Sequence, residues 1–120
     1  MTLVVAFVPD LLFGSQVQGS LRAAGHEVAL VGDEQGVRGA VAGADVLVVD
    51  LTDELARRVS LLDAISREGL LGEVRTLAFY SHVDVDARRA GENAGFDLVV
   101  PRSRMAREAA ELVTRLVDDG

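Results

Sequence analysis

The chain has 120 residues and a net charge of −7, which is one domain's worth of sequence with no basic surplus to offer a nucleic-acid backbone. Apolar residues make up 49% but aromatics only 4%, so the core must be Val, Leu and Ala, as suits parallel strands covered by helices. Cysteine and lysine are both absent, which removes disulfides, thiolate metal sites and any mechanism that needs a lysine. The apolar opening MTLVVAFVPD is too short for a signal peptide and has no basic flank, and no run reaches the roughly 18 residues of a membrane span. A cytoplasmic location with no membrane contact is therefore expected, and residues 1–120 read as one domain.

In chain order, residues 3–8 (LVVAFV) form a short apolar run ending at Pro9 and Asp10, which reads as a buried strand. Asp10 is placed to cap the helix that follows, in which Phe13, Val17, Leu21 and Ala24 share a face and Gly25 closes the element. A second strand, 27–31, leads to a short helix at about 34–42 containing Gly36 and Gly39. Strand three, 45–50 (DVLVVD), ends on Asp50, and Leu55, Val59, Leu62 and Ile65 form the apolar stripe of the third helix before Gly69. Strand four, 74–79, is followed by a helix at about 84–94 with only Ala87, Ala90 and Ala94 as its apolar face and with Gly91 and Asn93 inside. Strand five, 97–100, precedes a last helix carrying Met105, Ala109, Leu112 and Leu116, with Ser103 as N-cap. The second and fourth helices are expected to be the least firmly held.

Five βα units in succession predict a doubly wound α/β domain, a parallel sheet with helices on both faces. In such folds the site lies outside the carboxyl ends of the strands. That rule shortens the candidates to Pro9 and Asp10 after strand one, Asp50, Thr52 and Asp53 after strand three, Tyr80, Ser81, His82 and Asp84 after strand four, and Pro101, Arg102, Ser103 and Arg104 after strand five.

The segments ADVLVVDL (44–51), LRAAGHEV (21–28) and NAGFDLVVPRS (93–103), in this order and spacing, resemble the receiver domains of bacterial response regulators, the CheY-like superfamily. The resemblance covers essentially the whole chain. It implies a flavodoxin-like fold with strand order 2-1-3-4-5, Asp50 at the phospho-acceptor position, and a signalling role through protein partners. The departures are equally specific. The acidic pair that holds Mg²⁺ in receivers falls on Val8 and Pro9, leaving Asp10 one residue late. The lysine position carries Arg102, which is not an equivalent cation. The hydroxyl position after strand four falls on Tyr80 or Ser81, and the Met-Pro after the acceptor is replaced by Thr52-Asp53-Glu54. Asp10 and Asp50 are weak candidate ligands for Mg²⁺, Asp53 could add an oxygen, and no cofactor is expected.

Each candidate also has a plainer reading. Asp50 could simply end a strand and start a turn, and Asp10 could act only as a cap. Arg102, Arg104 and Arg107 oppose the dipole of the last helix, as do Asp118 and Asp119 at its end; pairing of Arg104 with Glu108 and Arg107 with Glu111 would account for two of the arginines. Tyr80 could pack toward strand five. His82 is a possible proton donor, though an isolated surface histidine seldom is one. No phosphate loop, nucleophile elbow or metal motif is present. The expectation is a stand-alone, non-enzymatic, atypical (pseudo-)receiver, monomeric or weakly dimeric, that regulates a protein partner. The alternative is a small-ligand or anion-binding protein, or an enzyme, using the same strand-end pocket.

Overall fold

A computed structural model describes residues 2–118. Five strands, β1 (Leu3–Phe7), β2 (Glu27–Val31), β3 (Val46–Asp50), β4 (Arg75–Tyr80) and β5 (Leu98–Pro101), lie parallel in the order β2-β1-β3-β4-β5. Five helices connect or follow them: α1 (Leu11–Ala23), α2 (Glu34–Ala40, continued by a 3-10 turn Val41–Gly43), α3 (Leu55–Arg67), α4 (Val85–Ala94) and α5 (Arg102–Asp118).

Strand alternation divides the core in two. Val4, Ala6 and Val8 of the first strand segment, Val46 and Val48 of β3, and Leu77 and Phe79 of β4 face α1 and α5, where they meet Phe13, Val17, Leu21, Met105, Leu112 and Leu116. Val5, Phe7, Leu47, Val49, Ala78 and Tyr80 face the other way, toward α2, α3 and α4. Both sheet faces are buried, which explains why the strands read as continuous apolar runs.

Several expectations are corrected. Ala24 does not continue the buried face of α1, because α1 ends at Ala23 and Ala24 is exposed. Ser103 is not an N-cap. It lies exposed inside α5, which begins one residue earlier at Arg102 and is broken by non-helical backbone at Glu108. The break leaves Arg102 and Arg104 on a short leading turn, where little dipole has accumulated to oppose them. Arg107 and Glu111 form no ion pair, whereas Arg104 and Glu108 do, at 3.4 Å. Of the last two acidic residues, Asp118 ends α5 and Asp119 lies outside the described residues.

The inward face of α3 is also rotated from the expected stripe. Arg58, Leu61, Leu62 and Ile65 are buried, and Val59 is only half-buried. The helix starts from Glu54, which holds a left-handed φ of 52°, a conformation costing a non-glycine residue about 1–2 kcal/mol. Gly91, which in sequence weakens α4, has a packing role. A Cβ there would come within 3.1 Å of Leu51 Cδ1 and 3.3 Å of Val99 Cγ1, so glycine lets α4 settle closely on the sheet.

Candidate functional site

The carboxyl ends of β1 and β3 and the start of α5 enclose a cleft of about 400 Å³ lined by Pro9, Asp10, Asp50, Thr52, Asp53, Glu54, Arg58 and Arg102. Asp50 is the last residue of β3 and is 6% exposed. Alternation gives it the parity of Val46 and Val48, on the α1/α5 side of the sheet. Its Oδ1 accepts the Thr52 N–H at 2.8 Å, closing a local turn, while Leu51 N–H continues the ladder to Phe79.

Asp10 caps α1, its Oδ1 accepting the Phe13 N–H at 3.1 Å. Its other oxygen, Oδ2, accepts from Arg102 Nη2 at 2.9 Å. Arg102 Nη1 then reaches toward Asp50, 3.8 Å from Oδ2, and toward Thr52 Oγ1 at 3.4 Å. One guanidinium therefore joins the cap of α1, the end of β3 and the loop beyond it. The group rests on the Phe13 ring, 4.0 Å from its centroid, and Phe13 in turn packs on Phe79 at 5.1 Å. Asp10's pKa is lowered, chiefly by the Phe13 N–H and next by the hydrogen bond from Arg102.

A second cation lines the same cleft and was not singled out in the sequence. Arg58 is 8% exposed, stacks over Phe7 at 4.2 Å and pairs with Glu54 Oε2 at 3.4 Å. Among the described residues its Nε has no hydrogen-bond partner. The available signal was its spacing, since positions 58, 61, 62 and 65 form an i, i+3, i+4, i+7 stripe with an arginine at its head.

Asp10, Asp50, Thr52, Asp53 and Arg102 are thus brought together. Tyr80, Ser81 and His82 are not among the lining. Tyr80 belongs to the strand itself and, by alternation, is buried on the α3/α4 side, away from Asp50 and opposite Pro101 of β5. Ser81 is half-buried, its carbonyl accepting the Asp84 N–H at 2.9 Å, and His82 is exposed. A larger groove of about 930 Å³ at the opposite end of the sheet includes Asp45 and Asp97. Asp45 and Asp97 there are committed to the backbone, accepting from Leu3 N–H and Thr76 N–H.

The residues present do not fit the Mg²⁺ that the receiver resemblance implies. Val8 is apolar and buried, Pro9 has no ligating side chain, and Asp10 is occupied by Phe13 N–H and Arg102. Among the described residues no three His, Cys, Asp or Glu side chains gather into one cluster. No metal-dependent step is derived for this cleft.

Also among the described residues, no helix is long and apolar enough to cross a membrane. No protein-family model matches the sequence, and no curated protein matches it. Solved structures do. A receiver domain of the Francisella response regulator 1452 superposes with a TM-score of 0.83 at 14% identity, over 99% of this chain and 98% of that one. A response regulator from Thermotoga maritima gives 0.84 at 18% identity, over 98% of each. The Vibrio cholerae chemotaxis protein CheY4 gives 0.82 at 16%, over 97% and 98%. At these identities the likeness speaks for architecture: the chain has the fold of response-regulator receiver domains, with Asp50 at the carboxyl end of its central strand.

Proposed function

We propose that this chain is an atypical, receiver-like signalling module, one that acts by contact with a protein partner and whose Asp50 pocket is balanced by arginine. The observation that carries this reading is the Arg102 guanidinium lying between Asp10 and Asp50. A carboxylate held this way keeps the position of a phospho-acceptor but lacks the metal donors and the mobile lysine that phosphoryl transfer to it would use. Neither His82 nor Tyr80 lines the cleft; the proton-accepting side chains there are the carboxylates of Asp10, Asp50, Asp53 and Glu54.

The surface supports regulation by contact. Val83 and Val85, at the start of α4, are 76% and 77% exposed, an apolar pair beside the strand ends. The helix they lead into rests through Gly91 on Leu51, the neighbour of Asp50, and on Val99 of β5. A change at the pocket would be felt by α4 through Leu51, which is how a two-state surface could be biased.

Two measurements test the reading. Incubation with a small phosphodonor and Mg²⁺ should give no phosphoryl mass increment that disappears in Asp50→Asn; such an increment would make the chain a working receiver. Proximity labelling in cells should mark a discrete set of proteins that a Val83→Ser/Val85→Ser variant loses. Identical labelling by both proteins would overturn the contact role.

A second reading has one observation in its favour, the open 400 Å³ cleft with the unpartnered Arg58 Nε in its wall. It makes the chain a binder of a small polar or anionic ligand. Four carboxylates against two guanidinium groups in that lining weigh against an anion. A melting shift with nucleotides, flavins or inorganic anions would revive it.

A further inference from the structure

The mismatch between the fold and its implied metal has a structural answer in Arg102. We infer that its guanidinium is a built-in counter-cation, standing between Asp10 and Asp50 in place of a divalent ion and making the arrangement of the pocket independent of metal. The inference rests on the reading of the cleft as a receiver-like pocket and says what balances it.

Three features support this role. The group bridges carboxylates from two elements, 2.9 Å from Asp10 and 3.8 Å from Asp50, so it carries out the joining that a shared ion performs. It is held from below by Phe13 at 4.0 Å and is 30% exposed, so its position is set by packing as well as by charge. The turn after β1 brings no carboxylate before Asp10, because Val8 and Pro9 stand there. Arg58, stacked on Phe7, supplies a second fixed positive charge to the same cleft. Asp53 and Glu54 are the other acids facing it.

Arginine remains charged across the whole physiological range. An Asp10–Asp50 pair held by it therefore neither gains nor loses its cation with the metal supply. An ion entering would have to displace a guanidinium already bonded to Asp10 and stacked on Phe13.

Thermal melting of the full chain, at constant ionic strength, in millimolar Mg²⁺ and in chelator, is the test. The wild-type Tm should be the same in both. Arg102→Ala should melt a few degrees lower, and Arg102→Gln, which keeps much of the stacking, should show most of that loss. In an Asp10→Asn/Asp50→Asn background the loss from Arg102→Gln should shrink to less than half, because the charges it balances have been removed. A rise of several degrees with Mg²⁺ in the wild type would overturn the inference. So would an equal loss in both backgrounds, which would reduce Arg102 to packing on Phe13. An Asp50-dependent phosphoryl increment with unchanged melting would defeat the proposed function's account of Asp50 and leave the Arg102 assignment standing.

Discussion

Arg102 Nη2 donates to Asp10 Oδ2 at 2.9 Å across 92 residues of sequence, tying the first residue of α5 to the cap of α1. The same guanidinium faces Asp50. Three strand-end segments are thus joined by one side chain whose charge does not titrate near neutrality, and the consequences can be measured separately.

The acid limb of stability should report on Asp10. Its carboxyl is held below the ordinary 3.8, first by the Phe13 N–H and then by Arg102. A depressed folded-state pKa means that the ionised form favours the fold. The contribution is complete above the ordinary value and fades as pH falls through the lower folded value. Asparagine is a good N-cap, so Asp10→Asn removes the charge and keeps the cap. Urea midpoints of wild type and Asp10→Asn should differ by a constant amount from neutral pH down to about 4 and converge below it. A difference that persists unchanged in stronger acid would contradict the account.

Arg58 should behave as a buried cation whose charge contributes little net stability. Taking it out of water costs free energy, which the pair with Glu54 at 3.4 Å and the contact with Phe7 only partly offset. Arg58→Leu, which fills much of the same space, should be neutral or stabilising by about 1 kcal/mol. Arg58→Ala should cost about 1–3 kcal/mol, since it opens space over Phe7. Chemical denaturation distinguishes the two. If the leucine variant proves clearly less stable than the wild type, the charge itself is what holds α3 in place.

Two helical glycines should respond differently to alanine. Gly19 in α1 has no atom within 4 Å of an added Cβ, so Gly19→Ala should realise the intrinsic helical gain of about 1 kcal/mol. Gly91 in α4 meets Leu51 and Val99 at 3.1 and 3.3 Å. There the neighbours must give way, and the gain should be cancelled or reversed. Denaturant midpoints of the two variants check this; equal stabilisation would mean that α4 is not pressed against Leu51.

The legible parts of this molecule are those set by local chemistry. Val- and Leu-rich runs bounded by Gly, Asp and Pro mark all five strands, and Asp10 declares itself as a cap before an apolar periodic segment. Asp50 and Arg102 were accessible because strand ends converge on one edge and because cations at the start of a helix oppose its dipole. Arg58 was hidden by a phase shift. The left-handed Glu54 that starts α3 sets which side chains turn inward, and nothing in the residue type announces that conformation. Tyr80 was misplaced for a related reason. Leu77 and Phe79 alternate with Ala78 and Tyr80, but when both faces of a sheet are buried, period-two alternation carries no direction. The close approach at Gly91 depends on two residues far away in sequence and appears only once the chain is folded.

The central claim is that Arg102, and not a metal ion, is the counter-cation between Asp10 and Asp50. A crystal structure grown with Mg²⁺, and a second with Mn²⁺ for its anomalous signal, addresses it directly. The account expects Arg102 between Asp10 and Asp50, stacked on Phe13, with no ion peak in the cleft in either crystal. A metal bound by Asp10 or Asp50, with the Arg102 side chain swung out to solvent, would contradict it.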